Sequence, residues 1–442
     1  MTILTKEYNN GFKIIYEKSV IPLSLTTLFL FCDIGSVHES NNLRGAAHFI
    51  EHMCFKGTKK ILHSKDIFFE YSKHGSYLNA FTNKRYTCYT IKCQDEYIKH
   101  SLEVLSDMLI NSVFNEKEFE KEEKVIIEEN NNNYNDPDTI IEDSIEEVLY
   151  KGSSYEYPID CLEYHNHPKK NLKYKDIIDF YHKFYNPCNM FLSIVTNNSF
   201  KSIENIIKNT FFMKKNTNEI KPIISSVYNN LVLNNKTQFR IIEKKGVSNV
   251  VINIGFRTCG RNSIDKYALN ILSYIMGNSL NGRLMMILRE KNNLVYGASV
   301  STNYYETMGD FTFKTKTSIE NLFKKKNKYG VLELLFKIIR NMINRGITEK
   351  ELKYIKGYYK GNLLILLQDI VNQTIYNGEE IIYGKLENKI IPFSKIYDKY
   401  IKNITVKDIN QVIKKYFDLD KMFFCILSEK LPILKTILNE IK

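Results

Sequence analysis

The chain repeats its own pattern along its length. Three segments recur in the same order in the second half, at offsets of 227, 233 and 232 residues. The pairs are 11–17 with 238–244, 116–119 with 349–352, and 175–191 with 407–423. Such a repeat predicts a duplicated α/β unit. The length of 442 residues agrees with it, because a chain of this size normally divides into more than one domain.

Strand-like and helix-like patterns alternate within each copy, and in the first copy the strand-like patterns lie at 11–18, 23–32, 77–92 and 190–195. The run Asn130–Asn133 is predicted to end a long charged helix, and Asp138 is predicted to cap the next one. The polar stretch 214–221 is predicted to begin a linker. The resulting division is an N-terminal domain (1–213), a linker (214–235) and a C-terminal domain (236–442).

Composition excludes several classes of protein. The net charge is +12, but the lysines are scattered and do not alternate with aromatic residues, so no nucleic acid partner is expected. No apolar run approaches the ~20 residues of a membrane span, and the N-terminus lacks a targeting pattern. We therefore expect a soluble, intracellular protein, cytoplasmic by default. The eight cysteines include no C-x-x-C pair, which indicates reduced thiols.

A short motif, H-x-x-E-H, lies in a helix-like stretch of the first copy. His48 and His52 are four residues apart and so project from one helical face, where two imidazoles can share a zinc ion. Glu51 lies beside them. This is the inverted form of the H-E-x-x-H zinc site, although a histidine pair on a helix can also be plain surface. Cys54 is a possible further ligand, but packing is the favoured role.

A catalytic zinc usually has three protein ligands and one open position. All nine histidines lie at or before His182, so only the first copy can hold zinc in this way. The helix-like stretch 120–130 is the richest source of carboxylates. Its two final acids, Glu128 and Glu129, project about 100° apart on a helix, and the residue pattern alone leaves both open as the third ligand.

The sequence around the motif resembles the M16 (pitrilysin-type) metallopeptidases, and within them the processing-peptidase branch. The matching segments are D-I-G-S at 33–36, H-E at 38–39, G-A-A at 45–47 and F-K-G-T at 55–58. The resemblance implies an α+β protein of two related α/β-roll domains, with mixed sheets flanked by helices. It also implies that Glu129 is the third ligand, with Glu128 second in rank, and that Glu122 has a supporting role near the site.

The same resemblance extends to residues that handle substrate. Asn79 and Ala80 lie on a strand that pairs with the substrate backbone in this family. Arg289 and Tyr296, seven residues apart, match an Arg/Tyr pair that contacts substrate and stabilises the oxyanion. One departure is Arg85, where the family often has a Glu, and it leaves the charge preference of the site open.

These observations predict a zinc-dependent endopeptidase with one zinc per chain and Glu51 as general base. Its substrates would be oligopeptides or unfolded, presequence-like segments. The alternative is a non-catalytic structural or assembly subunit of an M16-like heterodimer. Because the chain has one module but carries both the zinc motif and the Arg/Tyr pair, we expect a homodimer, or a heterodimer with another M16-type chain.

Overall fold

The computed structural model describes residues 3–160, 172–214, 231–232, 236–325, 328–384 and 389–430. The strands are β1 Leu4–Glu7, β2 Lys13–Lys18, β3 Leu25–Cys32, β4 Tyr77–Thr82, β5 Thr87–Gln94, β6 Met190–Thr196, β7 Gln238–Glu243, β8 Val250–Cys259, β9 Ala298–Tyr304, β10 Met308–Thr317 and β11 Phe423–Ser428. The helices of the first half are α1 Ala46–Met53, α2 Ser64–Ser72, α3 Ile98–Ile110, α4 Glu116–Asn135, α5 Pro137–Leu149, α6 Tyr174–Phe184, α7 Phe200–Ile207 and α8 Phe211–Lys214. Those of the second half are α9 Asp265–Ser273, α10 Ile319–Leu322, α11 Val331–Arg345, α12 Glu349–Leu366, α13 Ile370–Ile382 and α14 Val406–Tyr416.

Two sheets share the topology of five strands, and the first sheet has β1 as an additional edge strand. The first has the strand order β1-β2-β6-β3-β5-β4, and the second has β7-β11-β8-β10-β9. The only parallel pairs are β2 with β6 and β7 with β11 among the described strands, and these occupy equivalent places. Each sheet is therefore mixed, with helices packed against it. The predicted duplication and the α+β fold class are confirmed.

The central strand of the first sheet is buried on both faces. In β3, Leu28 and Leu30 pack into a core formed by helices of the first half, whereas Phe29 and Phe31 point into a second core that both halves share. Because successive side chains of a strand alternate between its faces, a continuous apolar run such as L-F-L-F-C at 28–32 is expected where both faces are covered.

Each half contributes a helix to the other half's sheet. Helix α5 packs on β8 and β11, and helix α13 packs on β6 and β3. The approach of α13 requires a glycine, because a Cβ atom at Gly378 would lie 2.1 Å from the ring of Phe31. At the matching place, a Cβ atom at Gly255 would lie 3.1 Å from Leu149. The two halves therefore share an interlocked core.

Two local predictions were wrong. The asparagine run does not end its helix, since α4 continues to Asn135. The next helix is capped by Asp136, whose side chain accepts a hydrogen bond from the backbone N–H of Asp138.

Most of the predicted linker, 215–230 and 233–235, lies outside the described residues. Helices long and apolar enough to cross a membrane are absent from the described ranges.

Candidate metal centre

The helix that carries the motif is fixed at its start by a buried acid. Gly45 precedes α1 with φ 91°, a left-handed conformation that glycine adopts without strain. The carboxylate of Glu39 accepts hydrogen bonds from the backbone N–H groups of Gly45 and Ala47, at 2.8 and 2.7 Å. These bonds satisfy donors that have no partner within the helix. The first turn of α1, which contains His48, is thereby held in place.

Three possible metal ligands converge beside α1. The Nε2 atoms of His48 and His52 are 3.2 Å apart, and Nε2 of His52 is 3.6 Å from Oε2 of Glu129. One ligand atom from each of the three residues lies within 4.8 Å of the others. Glu128, the second candidate for third ligand, is exposed to solvent. Two imidazoles and one carboxylate are a donor set that suits zinc and leaves a position open.

The outer nitrogen of each histidine faces a carboxylate. Nδ1 of His52 is 2.8 Å from Oε1 of Glu122, whose other oxygen pairs with Lys56. Burial acts to raise the pKa of Glu122, but its hydrogen bonds to His52 and Lys56 outweigh that effect and lower it. Nδ1 of His48 is 2.8 Å from Oδ1 of Asp160. Burial acts to lower the pKa of His48, but Asp160 outweighs it and raises the pKa to about 9.

Glu51 is not one of the three clustered residues, and its carboxyl group is held by a hydroxyl. Oγ1 of Thr82, at the end of β4, donates a hydrogen bond of 2.6 Å to Oε2 of Glu51. Burial raises the pKa of the Glu51 carboxyl, while the Thr82 hydrogen bond and the two histidines act to lower it. A carboxyl with a raised pKa beside a metal centre is a candidate proton acceptor.

One face of α4 supplies several parts of the centre. Glu122, Glu129 and Asn133 lie seven and four residues apart along the helix, so their side chains share a face. Asn133 donates a hydrogen bond of 3.1 Å to Oδ2 of Asp160. Asn133 was not predicted as part of the centre, because the helix was expected to end within the asparagine run. Helical spacing from Glu129 would have indicated Asn133. Asp160 and Thr82 were not predicted either, because no local sequence pattern marks them.

The residues expected to bind substrate lie on a free sheet edge. Strand β4 is the last strand of the first sheet, and Asn79 is exposed on it. The Asn79 side chain bonds to its surroundings locally, with Nδ2 3.1 Å from the Tyr77 hydroxyl and Oδ1 accepting from the Ala80 N–H at 2.9 Å. An edge strand presents backbone groups to which an extended peptide can pair.

Arg289 and Tyr296 lie in the second half and are open to solvent. The Arg289 guanidinium carbon is 5.4 Å from the centre of the Tyr296 ring, and Tyr296 is 89% exposed. Arg85, by contrast, is 1% exposed. It pairs with Asp33 of the first half and Glu306 of the second half. Arg85 therefore links the two halves, and its charge is neutralised within the fold.

A cavity of about 550 Å³ opens next to the centre, between the two halves. Asp160 and Asn130 both line it. Asn130 is 5% exposed, and the described residues provide no hydrogen-bond partner for its side-chain nitrogen or oxygen. The charged side chains in the described lining are Lys84, Arg261, Glu142, Asp143, Glu146, Asp160 and Glu379. Carboxylates outnumber cations there, although the whole chain is basic.

Two models of known protein families match this chain. Residues 18–162 match the sequence model of insulinase, peptidase family M16, and residues 171–358 match that of the M16 inactive domain. The chain belongs to peptidase family M16. The second M16 model is described as inactive, which fits a second half without histidine in this chain.

Relatives of this M16 chain are named as zinc proteases. The uncharacterized zinc protease YmxG of Bacillus subtilis is 28% identical over 407 residues, covering 91% of this chain and 92% of YmxG. A protease from Helicobacter pylori has the same fold, with a TM-score of 0.86 at 20% identity over 97% of this chain and 99% of its own. The periplasmic protease PqqL from Escherichia coli has a TM-score of 0.79 at 18% identity, over all of this chain but 50% of PqqL.

Proposed function

We propose that this M16 chain is a zinc-dependent endopeptidase that hydrolyses peptide bonds in oligopeptides or in unfolded, presequence-like segments. The observation that carries the proposal is the convergence of His48, His52 and Glu129, with Glu51 adjacent in the same helix and bonded to Thr82. The donor set fits one zinc ion per chain. The names of the relatives support the same class of activity.

The chemistry assigns distinct roles to the residues of the centre. Zinc at such a site supplies a Lewis acid for the peptide carbonyl and makes a water molecule more acidic. Glu51 accepts the proton of the attacking water and returns it to the leaving amine. Thr82 keeps the Glu51 carboxylate turned toward β4, where the substrate strand would lie. Glu122 keeps the ring of His52 oriented through Nδ1.

The free edge of β4 supports an extended peptide as substrate. A peptide that adds to a sheet edge is held through main-chain hydrogen bonds, so the site selects only weakly among its side chains. Asn79 and Ala80 would meet the peptide there. The excess of carboxylates in the adjacent cavity favours peptides with basic side chains, which is the property that presequence-like segments share.

The Arg/Tyr pair supports a two-chain enzyme. Arg289 and Tyr296 are exposed, and one copy of this chain matches half of PqqL. We therefore infer that two copies face each other and that Arg289 and Tyr296 of one copy serve the zinc centre of the other. The second candidate role, a non-catalytic subunit, is favoured by no contact within the described centre.

The decisive experiment replaces the proton acceptor and leaves the ligands intact. Glu51→Gln is expected to keep one zinc per chain while cleavage of a quenched 15–25-residue peptide library falls by about 100-fold or more, in the range of general-base losses. Glu128→Gln is the matched control, because it removes an exposed carboxylate from the neighbouring helix. Cleavage by Glu51→Gln at the wild-type rate would disprove the base assignment. Zinc binding by the wild type without any cleavage would favour the non-catalytic subunit.

A further inference from the structure

The outer nitrogen of His48 meets a carboxylate that lies more than a hundred residues away in sequence. Nδ1 of His48 is 2.8 Å from Oδ1 of Asp160, and both side chains are largely buried, at 11% and 24% exposure. Asp160 follows the segment after α5, whereas His48 lies on α1. The contact therefore depends on the tertiary fold and is not a local helical pairing.

The carboxylate contact at His48 matches the contact at His52 in distance. In both residues Nε2 lies in the ligand cluster and Nδ1 lies 2.8 Å from a carboxylate oxygen; the contact of His52 has hydrogen-bond geometry, whereas that of His48 is an ion-pair contact. A metal-bound histidine generally donates its outer N–H to such a group, which fixes the tautomer and makes the ligating nitrogen more basic. Glu122 fills this place for His52, and Asp160 occupies the corresponding place for His48.

Asp160 is itself held on two sides. Asn133, on the same face of α4 as Glu129, donates a hydrogen bond of 3.1 Å to the second oxygen of Asp160. The segment before Asp160 is fixed by Lys84, which is 6% exposed and donates to the carbonyl oxygens of Tyr155 and Tyr157. A carboxylate with both oxygens engaged and its backbone anchored is preorganised to hold an imidazole.

We propose that Asp160 is a positioning residue of the metal centre, which holds His48 with Nδ1 protonated and Nε2 directed at the metal. This inference rests on the proposed function only in that zinc is the metal. Asn133 acts through Asp160 by holding the second oxygen of its carboxylate. Helix α4 would then supply a ligand, Glu129, and supports for both histidine ligands, one direct through Glu122 and one indirect through Asn133.

The test measures zinc affinity and does not depend on peptide cleavage. Asp160→Asn keeps the shape of the side chain but removes its charge. Its dissociation constant for zinc, from competition with a coloured chelator, is expected to rise by about 10- to 100-fold. With cobalt(II) in place of zinc, the visible absorption of the same variant is expected to shift. Glu128→Gln is the matched control and should bind zinc as the wild type does.

Two further measurements separate positioning from general stability. The metal-free Asp160→Asn chain is expected to unfold at a somewhat lower temperature at pH 7, because it loses the contact that raises the pKa of His48, and the drop should be larger when zinc is present than when it is absent. Asn133→Ala keeps the charge of Asp160 but removes the hydrogen bond that Asn133 donates to the Asp160 carboxylate. A few-fold weaker zinc affinity is expected for this variant. This second variant carries the test if Asp160→Asn does not fold.

Wild-type zinc affinity and an unshifted cobalt spectrum in Asp160→Asn would overturn the inference. So would a loss of metal-free stability in Asp160→Asn without any loss of zinc affinity. If Asp160→Asn does not fold, unchanged zinc affinity in Asn133→Ala would overturn it. A wild-type chain that binds zinc but does not cleave peptides would disprove the proposed function and leave this inference standing. A wild-type chain that binds no zinc would overturn both.

Discussion

A single step along α4 separates a partly exposed ligand position from a position that faces solvent. Glu129 lies 3.6 Å from His52, whereas Glu128 is exposed to solvent. We expect Glu129→Gln to weaken zinc binding by more than the ~10- to 100-fold typical of losing an outer hydrogen-bond partner, because a direct ligand is removed. Zinc content after dialysis and chelator competition would measure this.

The neighbouring residue supplies the control for that prediction. Glu128→Gln makes the same chemical change one position earlier, on a side of the helix that faces solvent. It should leave zinc binding unchanged. The opposite result, with Glu128→Gln losing zinc and Glu129→Gln keeping it, would show that α4 is rotated relative to α1 from the arrangement described.

At the residue scale, the sequence predicted what one helix can encode. His48, Glu51 and His52 lie within five positions, so helical periodicity alone was enough to bring them together. Asp160 and Thr82 reach the centre through tertiary contacts with α1, and nothing in their neighbouring residues indicates that destination. Spacing along one element can predict a ligand pair, but not the groups that orient it from other elements.

At the scale of elements, the packing of α13 depends on one missing side chain. A Cβ atom at Gly378 would lie 2.1 Å from a ring carbon of Phe31 on β3. Gly378→Ala should therefore lower the free energy of unfolding by about 1–3 kcal/mol, the usual effect of overpacking a core. Urea denaturation would measure the change.

Another helix offers a matched glycine in open space. An added Cβ at Gly357, within α12, meets nothing within 4 Å. Gly357→Ala should raise the free energy of unfolding by roughly 0.5–1 kcal/mol, because alanine favours a helix interior over glycine. Combining Gly378→Ala with Phe31→Leu should recover part of the loss. Equal effects of the two alanine substitutions would contradict the close approach of α13 to β3.

The elements themselves were predicted more successfully than their ends. The strand patterns at 11–18, 23–32 and 190–195 each correspond to a strand. The pattern at 77–92 was read as one stretch but contains two strands, β4 and β5, joined by a tight turn. Helix α4 passes through four consecutive asparagines because its packing against α1 outweighs the weak helix preference of that residue.

At the scale of the whole molecule, one buried cation connects the two halves. Arg85 pairs with Asp33 and Glu306 and lies 3.1 Å from Nε2 of His38. Arg85→Met should lower the free energy of unfolding by about 3–5 kcal/mol, because it leaves two carboxylates without their partner. Arg289→Met, at an exposed position, should change it by about 0.5 kcal/mol or less. Similar values for the two variants in urea denaturation would refute this role for Arg85.

The duplication was visible in the sequence, but the exchange of helices was not. The three repeated segments predicted two related units, and five strands of each sheet have matching orders. Repeated segments reveal sequence similarity, but they carry no information about which sheet a helix covers. Helices α5 and α13 each pack on the sheet of the other half. The apolar faces of these two helices therefore belong to a core that both halves share.

The proposed pairing of two chains can be tested with mixed variants. If Arg289 and Tyr296 of one copy serve the zinc centre of the other, then each active site needs one intact centre and one intact Arg/Tyr pair. Glu51→Gln and Arg289→Ala chains should each be inactive alone. A mixture of the two should recover up to about a quarter of wild-type cleavage per chain, because half of the dimers are mixed and each has one complete site.

The recovery must come from mixed dimers and not from either parent. A mixture of Glu51→Gln with Glu129→Gln is the matched control, since both changes damage the same centre and no pairing restores it. Sedimentation must show dimers in both mixtures. Dimers without recovery in the Glu51→Gln and Arg289→Ala mixture would mean that Arg289 acts within its own chain or not at all. Recovery in that mixture alone would establish that the enzyme is complete only as a pair, which explains why exposed residues of the second half match a substrate motif.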